Sequence, residues 1–184
     1  MGCRQRFPLL SHLRDDTFGY ILHPVDLATN KVAAAYGRRE PRDIVDLLAI
    51  HQEILPMGAA VWASAGKALG FTPEGIINEI RRTARYRAED FLMVASDPPV
   101  DPAATMRRLR EILEEAEAFV LRMPTDKVGL LFLQDGHVLQ PDPDRLDEYQ
   151  TTPDTSAANG PPARKSPRRC WSATGRSLKY SANA

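Results

Sequence analysis

The sequence has little cysteine, and this limits the classes of protein that it can encode. Cys3 and Cys170 are the only cysteines among the 184 residues, one near each end of the chain. Two thiols cannot build a disulfide framework, and they cannot supply the ligands of a four-cysteine zinc site. A reducing compartment suits this composition best, so we predict a cytoplasmic location.

Long apolar runs are also missing from the chain. No stretch approaches the roughly 20 apolar residues that cross a bilayer, and the first ten residues, MGCRQRFPLL, lack the apolar segment of a secretory signal. We therefore predict no contact with a membrane. Metal sites use short ligand spacings, which do not occur among the four histidines, His12, His23, His51 and His137.

Charge is balanced overall but uneven along the chain. Residues 151–184 hold six Lys and Arg against the single acid Asp154, and residues 1–150 therefore keep 18 basic against 23 acidic side chains. Such an acidic body does not suit a general nucleic-acid binder, and it shows no DNA-binding motif. The stretch 141–184 is rich in Pro, Ser, Thr, Ala and Arg, so we predict a disordered basic tail there.

Helical patterns fill most of the chain before this tail. Asp26 is predicted to cap an alanine-rich first helix, which Gly37 ends in the left-handed conformation. Pro41 suits the first position of a second helix. Apolar residues at spacings of three and four from Met106 to Met123 predict a long amphipathic helix. In order, the predicted helical segments are 26–37, 41–55, 58–69, 72–84, 88–95 and 101–123.

Two short regions favour β-structure instead. The segment from Phe18 to His23 is rich in aromatic and β-branched residues and follows the turn-prone residues Arg14 to Asp16, so we predict a short strand there. A small hairpin is predicted over 128–139, around the turn that contains Asp135 and Gly136. The fold class predicted is therefore mainly α, a helical bundle with a short N-terminal strand, a small β-hairpin and a disordered C-terminal tail.

One lysine and several other charged residues lie in the first two predicted helices. Lys31 falls among alanines, where an ammonium needs an anionic partner. At about 1.5 Å per residue, Lys31 and Asp46 lie at similar distances of roughly 8 to 9 Å from the connecting turn, so they can face each other. Asp43 precedes Asp46 by three residues, and Arg42 can pair with Asp46 as its i,i+4 partner.

This charge cluster has two interpretations. The first is a salt-bridge network that locks a helical hairpin, and spacing alone favours it, because such networks are common structural features. The second is a phosphate-binding lysine, Lys31, that neighbouring carboxylates hold in position. Both interpretations remain open at the level of spacing.

The same stretch also resembles a known family. The segment LHPVDLATNKVAAAYGRREPRDIVDLL resembles the AbiEii/AbiGii toxin family of nucleotidyltransferase-like proteins. These share Asp-Leu-Ala-x-Asn-Lys, an alanine-rich helix and Gly-Arg, followed by a basic residue, Asp, two apolar residues and Asp-Leu. Both motifs occur here in order, as Asp26 to Arg38 and Arg42 to Leu47. The similarity extends more loosely from about Phe7 to Leu139.

The resemblance implies a nucleotide site of the abortive-infection toxin type. Lys31 would contact nucleotide phosphates, and Arg42, Asp43 and Asp46 would support it as further substrate-binding residues. The ligand implied is a nucleoside triphosphate with Mg²⁺, and the partners implied are a cognate antitoxin or an RNA acceptor. One departure is Glu40, which stands where members often have a basic residue.

A second departure concerns catalysis. Members carry a Gly-Gly or Gly-Ser turn and two metal-binding acids upstream, and nothing before Phe18 matches that segment. Since two-metal stabilisation needs those acids, we expect a truncated chain that has no catalytic or metal-binding residue of its own and is inactive alone. The domains expected are a remnant of the nucleotidyltransferase core over 1–25, a helical domain over 26–140 and the tail over 141–184. The alternative function is a non-catalytic helical module for protein interaction.

Overall fold

A computed structural model of the chain describes residues 9–152 except for 39, 68–69 and 97–98. The mainly helical fold predicted from the sequence is confirmed. The α-helices are α1 (Pro24–Gly37), α2 (Pro41–Glu53), α3 (Met57–Ala65), α4 (Pro73–Thr83) and α5 (Pro102–Arg122), and short 3₁₀ segments span Ala88–Met93, Thr125–Lys127 and Leu146–Glu148. The strands are β1 (Leu13–Asp15), β2 (Gly19–Ile21), β3 (Phe132–Gln134), β4 (His137–Leu139) and β5 (Gln150–Thr151).

Proline and capping residues fix where several helices begin. Helices α1, α2, α4 and α5 all have proline at the first position, where its missing N–H costs nothing and its φ already suits a helix. The Asp101 carboxylate accepts the backbone N–H groups of Ala103 and Ala104 at 2.9 and 3.1 Å, as a helix cap should. Helices α2, α4 and α5 therefore begin where the sequence predicted.

The first helix departs from the prediction at both ends. Helix α1 begins at Pro24, with His23 as its N-cap, so the predicted cap Asp26 lies inside the helix and is fully buried. The prediction for Gly37 was also wrong, because its φ is not positive. The helix ends at Gly37 because Arg38 turns to extended backbone, with φ −145° and ψ 163°.

Helix α3 is the centre of the bundle. All nine of its residues are buried, and it packs against α1, α4 and α5. Small side chains such as Ala60 and Ala63 let these neighbours approach closely, while Trp62 fills the remaining space and donates its indole N–H to the carbonyl of Lys127 at 2.8 Å. The amphipathic helix α5 adds Leu109, Leu113 and other members of its predicted stripe to this core.

A close backbone contact defines the end of α3. The helix stops at Ala65, short of the predicted 69, and a Cβ on the next residue, Gly66, would lie 2.6 Å from the Cα of Gly129. Gly129 has φ +90°, a conformation that L side chains rarely adopt. Neither position therefore accepts a side chain, and the segment after α5 can lie directly on α3.

The N-terminal β-structure is a hairpin and not a lone strand. Strands β1 and β2 pair antiparallel, with Leu13 opposite Ile21 and Asp15 opposite Gly19. The sequence prediction placed a turn at residues 14–16 and was wrong there, because the turn comes two residues later. The Asp15 carboxylate accepts the N–H groups of Thr17 and Phe18 at 2.8 and 2.9 Å and so stabilises that turn.

The C-terminal sheet contains the predicted hairpin and one more strand. Strands β3 and β4 form the hairpin, and Asp135 and Gly136 have positive φ at its turn, as an Asp-Gly turn requires. Strand β5 pairs with the other edge of β3. The prediction of disorder from residue 141 was therefore wrong for 141–152, because backbone pairing orders that segment, and residues 153–184 lie outside the described part.

The length and apolar character of the helices bear on membrane contact. In the described residues, no single helix is long and apolar enough to cross a membrane, and α2 and α3 reach those limits only as a pair bent by 111°.

Candidate functional site

The candidate site lies on the hairpin formed by α1 and α2. The two helices are separated by three residues of the chain and pack on each other, and their buried side chains include Val32, Ile44 and Leu47. This packing fixes the register between the C-terminal half of α1 and the N-terminal half of α2. It places Lys31 opposite the aspartates of α2, as the sequence predicted.

Lys31 contacts both predicted aspartates. Its ammonium donates a hydrogen bond to Oδ2 of Asp46, and it lies 4.0 Å from Oδ1 of Asp43. The Lys31 side chain keeps 38% of its surface exposed, whereas Asp43 keeps only 2%. Asp43 is thus a buried anion beneath a partly open ammonium.

Arg38 is a member of this cluster that the sequence analysis did not assign to the site. Its Nε and Nη2 atoms each donate to the Asp43 carboxylate at 2.8 Å, which is the bidentate geometry that arginine favours. The hydrogen bonds to Asp43 raise the pKa of Arg38 above its ordinary value. The available signal was the Gly-Arg that closes the first motif, since it lies at the turn beside Asp43.

Arg42 does not join the cluster. Its side chain is exposed on α2, and it forms no ion pair with any residue in the described ranges. Lys31 occupies the place beside Asp46 that the spacing had offered to Arg42. Of the predicted site residues, Lys31, Asp43 and Asp46 are therefore brought together, and Arg42 is not.

A second lysine site lies on the other side of α1, and sequence reasoning missed it. Lys67 has only 2% of its side chain exposed and donates to the fully buried Asp26 carboxylate at 2.7 Å. It also donates to Oδ1 of Asn30 at 3.1 Å. The backbone N–H groups of Leu9 and Leu10 bind the same carboxylate at 2.7 and 3.0 Å, so the pair ties the N-terminal segment to the bundle.

The signal for this second site was present but weak. Lys67 follows a helix of small apolar residues, where a lysine is out of place unless an anion is buried nearby. Gly66-Lys67 resembles part of a phosphate-binding loop, but the glycine spacing of that motif is absent. The sequence therefore did not predict a site at Lys67. Its partner is 41 residues away, so no local pattern could have identified it.

His23 lies beside this buried pair. It is 9% exposed, and its Nδ1 atom accepts the N–H of Val25 at 3.2 Å. Burial lowers the pKa of His23, and the nearby carboxylate of Asp26 opposes that shift. The neutral imidazole is thus favoured in the folded state.

Comparisons with known proteins add no identification to this geometry. No protein-family model, no curated protein and no solved structure matches the chain. Within the described ranges, no group of three or more His, Cys, Asp or Glu side chains is arranged to hold a metal ion.

Proposed function

We propose that this chain is a nucleotidyltransferase-like protein of the abortive-infection (AbiEii/AbiGii) toxin type, and that it binds a nucleoside triphosphate through Lys31. The observation that supports this proposal is a lysine held in place yet still open to solvent. Asp46 takes one N–H of the ammonium, and the other two are not bound by any described residue. Phosphate oxygens are strong acceptors for such donors.

Arg38 extends this phosphate site in the proposal. Its guanidinium uses two of its five N–H bonds on Asp43 and has 54% of its side chain exposed. Lys31 and Arg38 approach the same oxygen of Asp43, at 4.0 and 2.8 Å. One phosphate group can therefore contact both cations while Asp43 holds them together from beneath.

The two aspartates have different proposed roles. Asp43 is buried and fixed by Arg38, so it positions the cations. Asp46 is 29% exposed, so its carboxylate can turn towards water when a phosphate takes its place on Lys31. Arg42 contributes at most long-range attraction, since it lies outside the cluster.

The proposal assigns binding, and not transfer, to this chain alone. Nucleotidyl transfer needs a pair of metal-binding carboxylates, and the proposal names none in the described residues. Mg²⁺ enters it as the ion that accompanies the triphosphate. A cognate antitoxin or an RNA acceptor, in the cytoplasm, is the partner that the family type suggests.

Isothermal titration of Mg²⁺-ATP, GTP, CTP and UTP into the full chain tests this proposal. We expect saturable binding of at least one nucleotide. Lys31→Met should weaken it by about ten- to a hundredfold, because a hydrogen bond to a charged group contributes about 1.5–3 kcal/mol. The matched control is Lys127→Met, since Lys127 is partly exposed and its ammonium has no partner among the described residues.

Titrations at several salt concentrations distinguish binding at Lys31 from attraction to the basic C-terminal segment. Attraction of a polyanion to residues 151–184 falls steeply as salt rises, and it is the same in both variants. Equal affinity in Lys31→Met and Lys127→Met would contradict the proposal, as would the absence of saturable binding in the wild type.

An alternative function, a protein-interaction module, is favoured by the β1–β2 hairpin. Phe18 and Tyr20 are 79% and 77% exposed there. Large aromatic side chains in the open are typical of interaction surfaces. A folded wild type that binds no nucleotide would support this second function.

A further inference from the structure

A separate cavity lies between α2 and α5. Its volume is about 220 Å³, and it opens to solvent. Apolar and polar side chains share its wall, and the residues that line it are Leu48, His51, Gln52, Ala104, Thr105 and Arg108. It lies against the side of α2 that faces α5, whereas the Lys31 cluster lies on the side that faces α1.

One histidine in this wall has a defined tautomer in its neutral form. The Nδ1 atom of His51 accepts the backbone N–H of Met57 at 3.2 Å, so in the neutral ring the proton must be on Nε2. Burial lowers the pKa of His51, and the positive charge of Arg108 lowers it further. The carboxylate of Glu115 acts in the opposite direction and raises this pKa. The His51 side chain is 15% exposed, and it presents a fixed N–H donor.

A second donor faces that N–H at close range. Nη2 of Arg108 lies 3.3 Å from Nε2 of His51, and a guanidinium carries only donors. The other terminal nitrogen, Nη1, donates to Glu111 at 3.0 Å. Since two donors cannot bond to each other, this arrangement calls for an acceptor beside both.

The carboxylate of Glu115 does not fill that role. Its oxygens lie 3.9 Å from Nε2 of His51 and 3.6 Å from Nη1 of Arg108, and both distances are beyond a hydrogen bond. Glu115 is also 59% exposed, so it has little packing to hold it there. Thr105 also lines the cavity, and its hydroxyl has no hydrogen bond to any described residue.

We propose that the cavity between α2 and α5 binds a small oxyanion, the carboxylate or phosphate group of a small molecule. One oxygen accepts from Nε2–H of His51 and a second from Nη2–H of Arg108, a charged donor that the planar guanidinium holds in a fixed direction. Thr105, which lines the same cavity, supplies a hydroxyl to the bound group. The rest of the ligand packs on the apolar side chains of Leu48 and Ala104.

An NMR titration of the full chain tests this inference. The His51 ring resonance, assigned through His51→Gln, is followed as sodium phosphate or sodium acetate is added at constant ionic strength. We expect a saturable shift with Kd below about 1 mM for at least one anion. The anion that saturates first shows whether the site prefers a phosphate or a carboxylate.

Neighbouring arginines provide a matched pair of variants. Arg108→Gln should weaken anion binding at least tenfold, because it removes the positive charge and the Nη2–H donor. Arg107→Gln, which changes the adjacent exposed arginine, should leave the affinity within about twofold of the wild type. If Arg108→Gln does not fold, Arg108→Lys keeps the charge, loses the fixed direction of the Nη2–H donor and should still weaken binding.

A variant of Glu115 tests whether the two donors bind an added anion or are already paired within the protein. Glu115→Gln should bind the anion more tightly, because it removes a negative charge that lies 3.9 Å from Nε2 of His51 and 3.6 Å from Nη1 of Arg108 and repels an anion there. A wild type that shows no saturable shift overturns the proposal, whatever the variants do. A saturable shift that survives unchanged in Arg108→Gln overturns it as well. Since this readout involves none of the Lys31 cluster, it stands or fails separately from nucleotide binding.

Discussion

Two lysine sites on α1 use the same chemistry at very different depths. Lys31 meets Asp43 and Asp46 with 38% of its side chain exposed, whereas Lys67 meets Asp26 with 2% exposed. Successive residues of α1 separate the two sites: Asn30 contacts Lys67, and Lys31 contacts Asp46. At 100° per residue, one step along a helix is enough to turn a side chain from one neighbour to another.

The depth of each pair decides what it can do. A buried ion pair is hard to break, because the partner left behind is a charge without water. An exposed pair contributes little to stability, since water and salt screen it. The Lys67 pair therefore suits holding the N-terminal segment in place, and the Lys31 pair suits exchanging one anion for another.

Lys67→Met should give the largest loss of stability. The variant leaves the Asp26 carboxylate fully buried without its cation, so we expect the free energy of unfolding to fall by about 3–5 kcal/mol. Urea denaturation followed by circular dichroism measures it. The double variant Lys67→Met with Asp26→Asn should lose less than Lys67→Met alone. An equal or larger loss in the double variant would show that Asp26 stabilises the fold through Leu9 and Leu10, and not through the lysine.

The contrast between the two sites also shows where sequence reasoning succeeds. Helices α4 and α5 were predicted within a few residues, because caps, first-position prolines and apolar spacing are local signals that all agree. The Lys31–Asp46 contact could be predicted for a related reason, since a short turn fixes the register of a hairpin. Local rules thus account for the Lys31 site.

The Lys67 site depends on contacts that no local rule describes. Asp26 has the residue type of a helix cap, but it lies inside α1, where Lys67 and two backbone N–H groups bind its carboxylate. Residues 141–152 were missed for a similar reason, because β5 forms only where β3 offers an edge. Tertiary pairing outweighs local preference in both cases.

Lys31→Met should have a much smaller effect than Lys67→Met on the same measurement. The ammonium is partly exposed, and Asp43 keeps its two bonds to Arg38, so we expect the free energy of unfolding to change by less than about 1 kcal/mol. The nucleotide titration should nevertheless show a clear loss of affinity. A loss of stability as large as that of Lys67→Met would instead make the Lys31 cluster a structural lock, which is the first interpretation that its spacing allowed.

The smallest effect that we predict is a pH dependence of the stability that His23, beside the Lys67–Asp26 pair, contributes. Burial lowers the pKa of His23 below 6.5, so on acidification the unfolded chain takes up a proton at His23 before the folded chain does. The contribution of His23 to stability is then complete above pH 6.5 and is lost as the pH falls through the folded-state pKa. Carboxylates elsewhere also titrate below this range, so the wild type is compared with His23→Gln.

Urea denaturation of the two proteins at several pH values between 5 and 8 isolates this contribution. We expect the wild type to lose more stability on acidification than His23→Gln, while the difference between them stays constant above neutrality. Parallel curves would mean that the folded state accepts the imidazolium, because Asp26 attracts it as strongly as burial opposes it. In that case Asp26 would offset the charge of two cations, Lys67 and protonated His23. Burial in the Lys67 site would then disfavour charge less than the low exposure of its side chains implies.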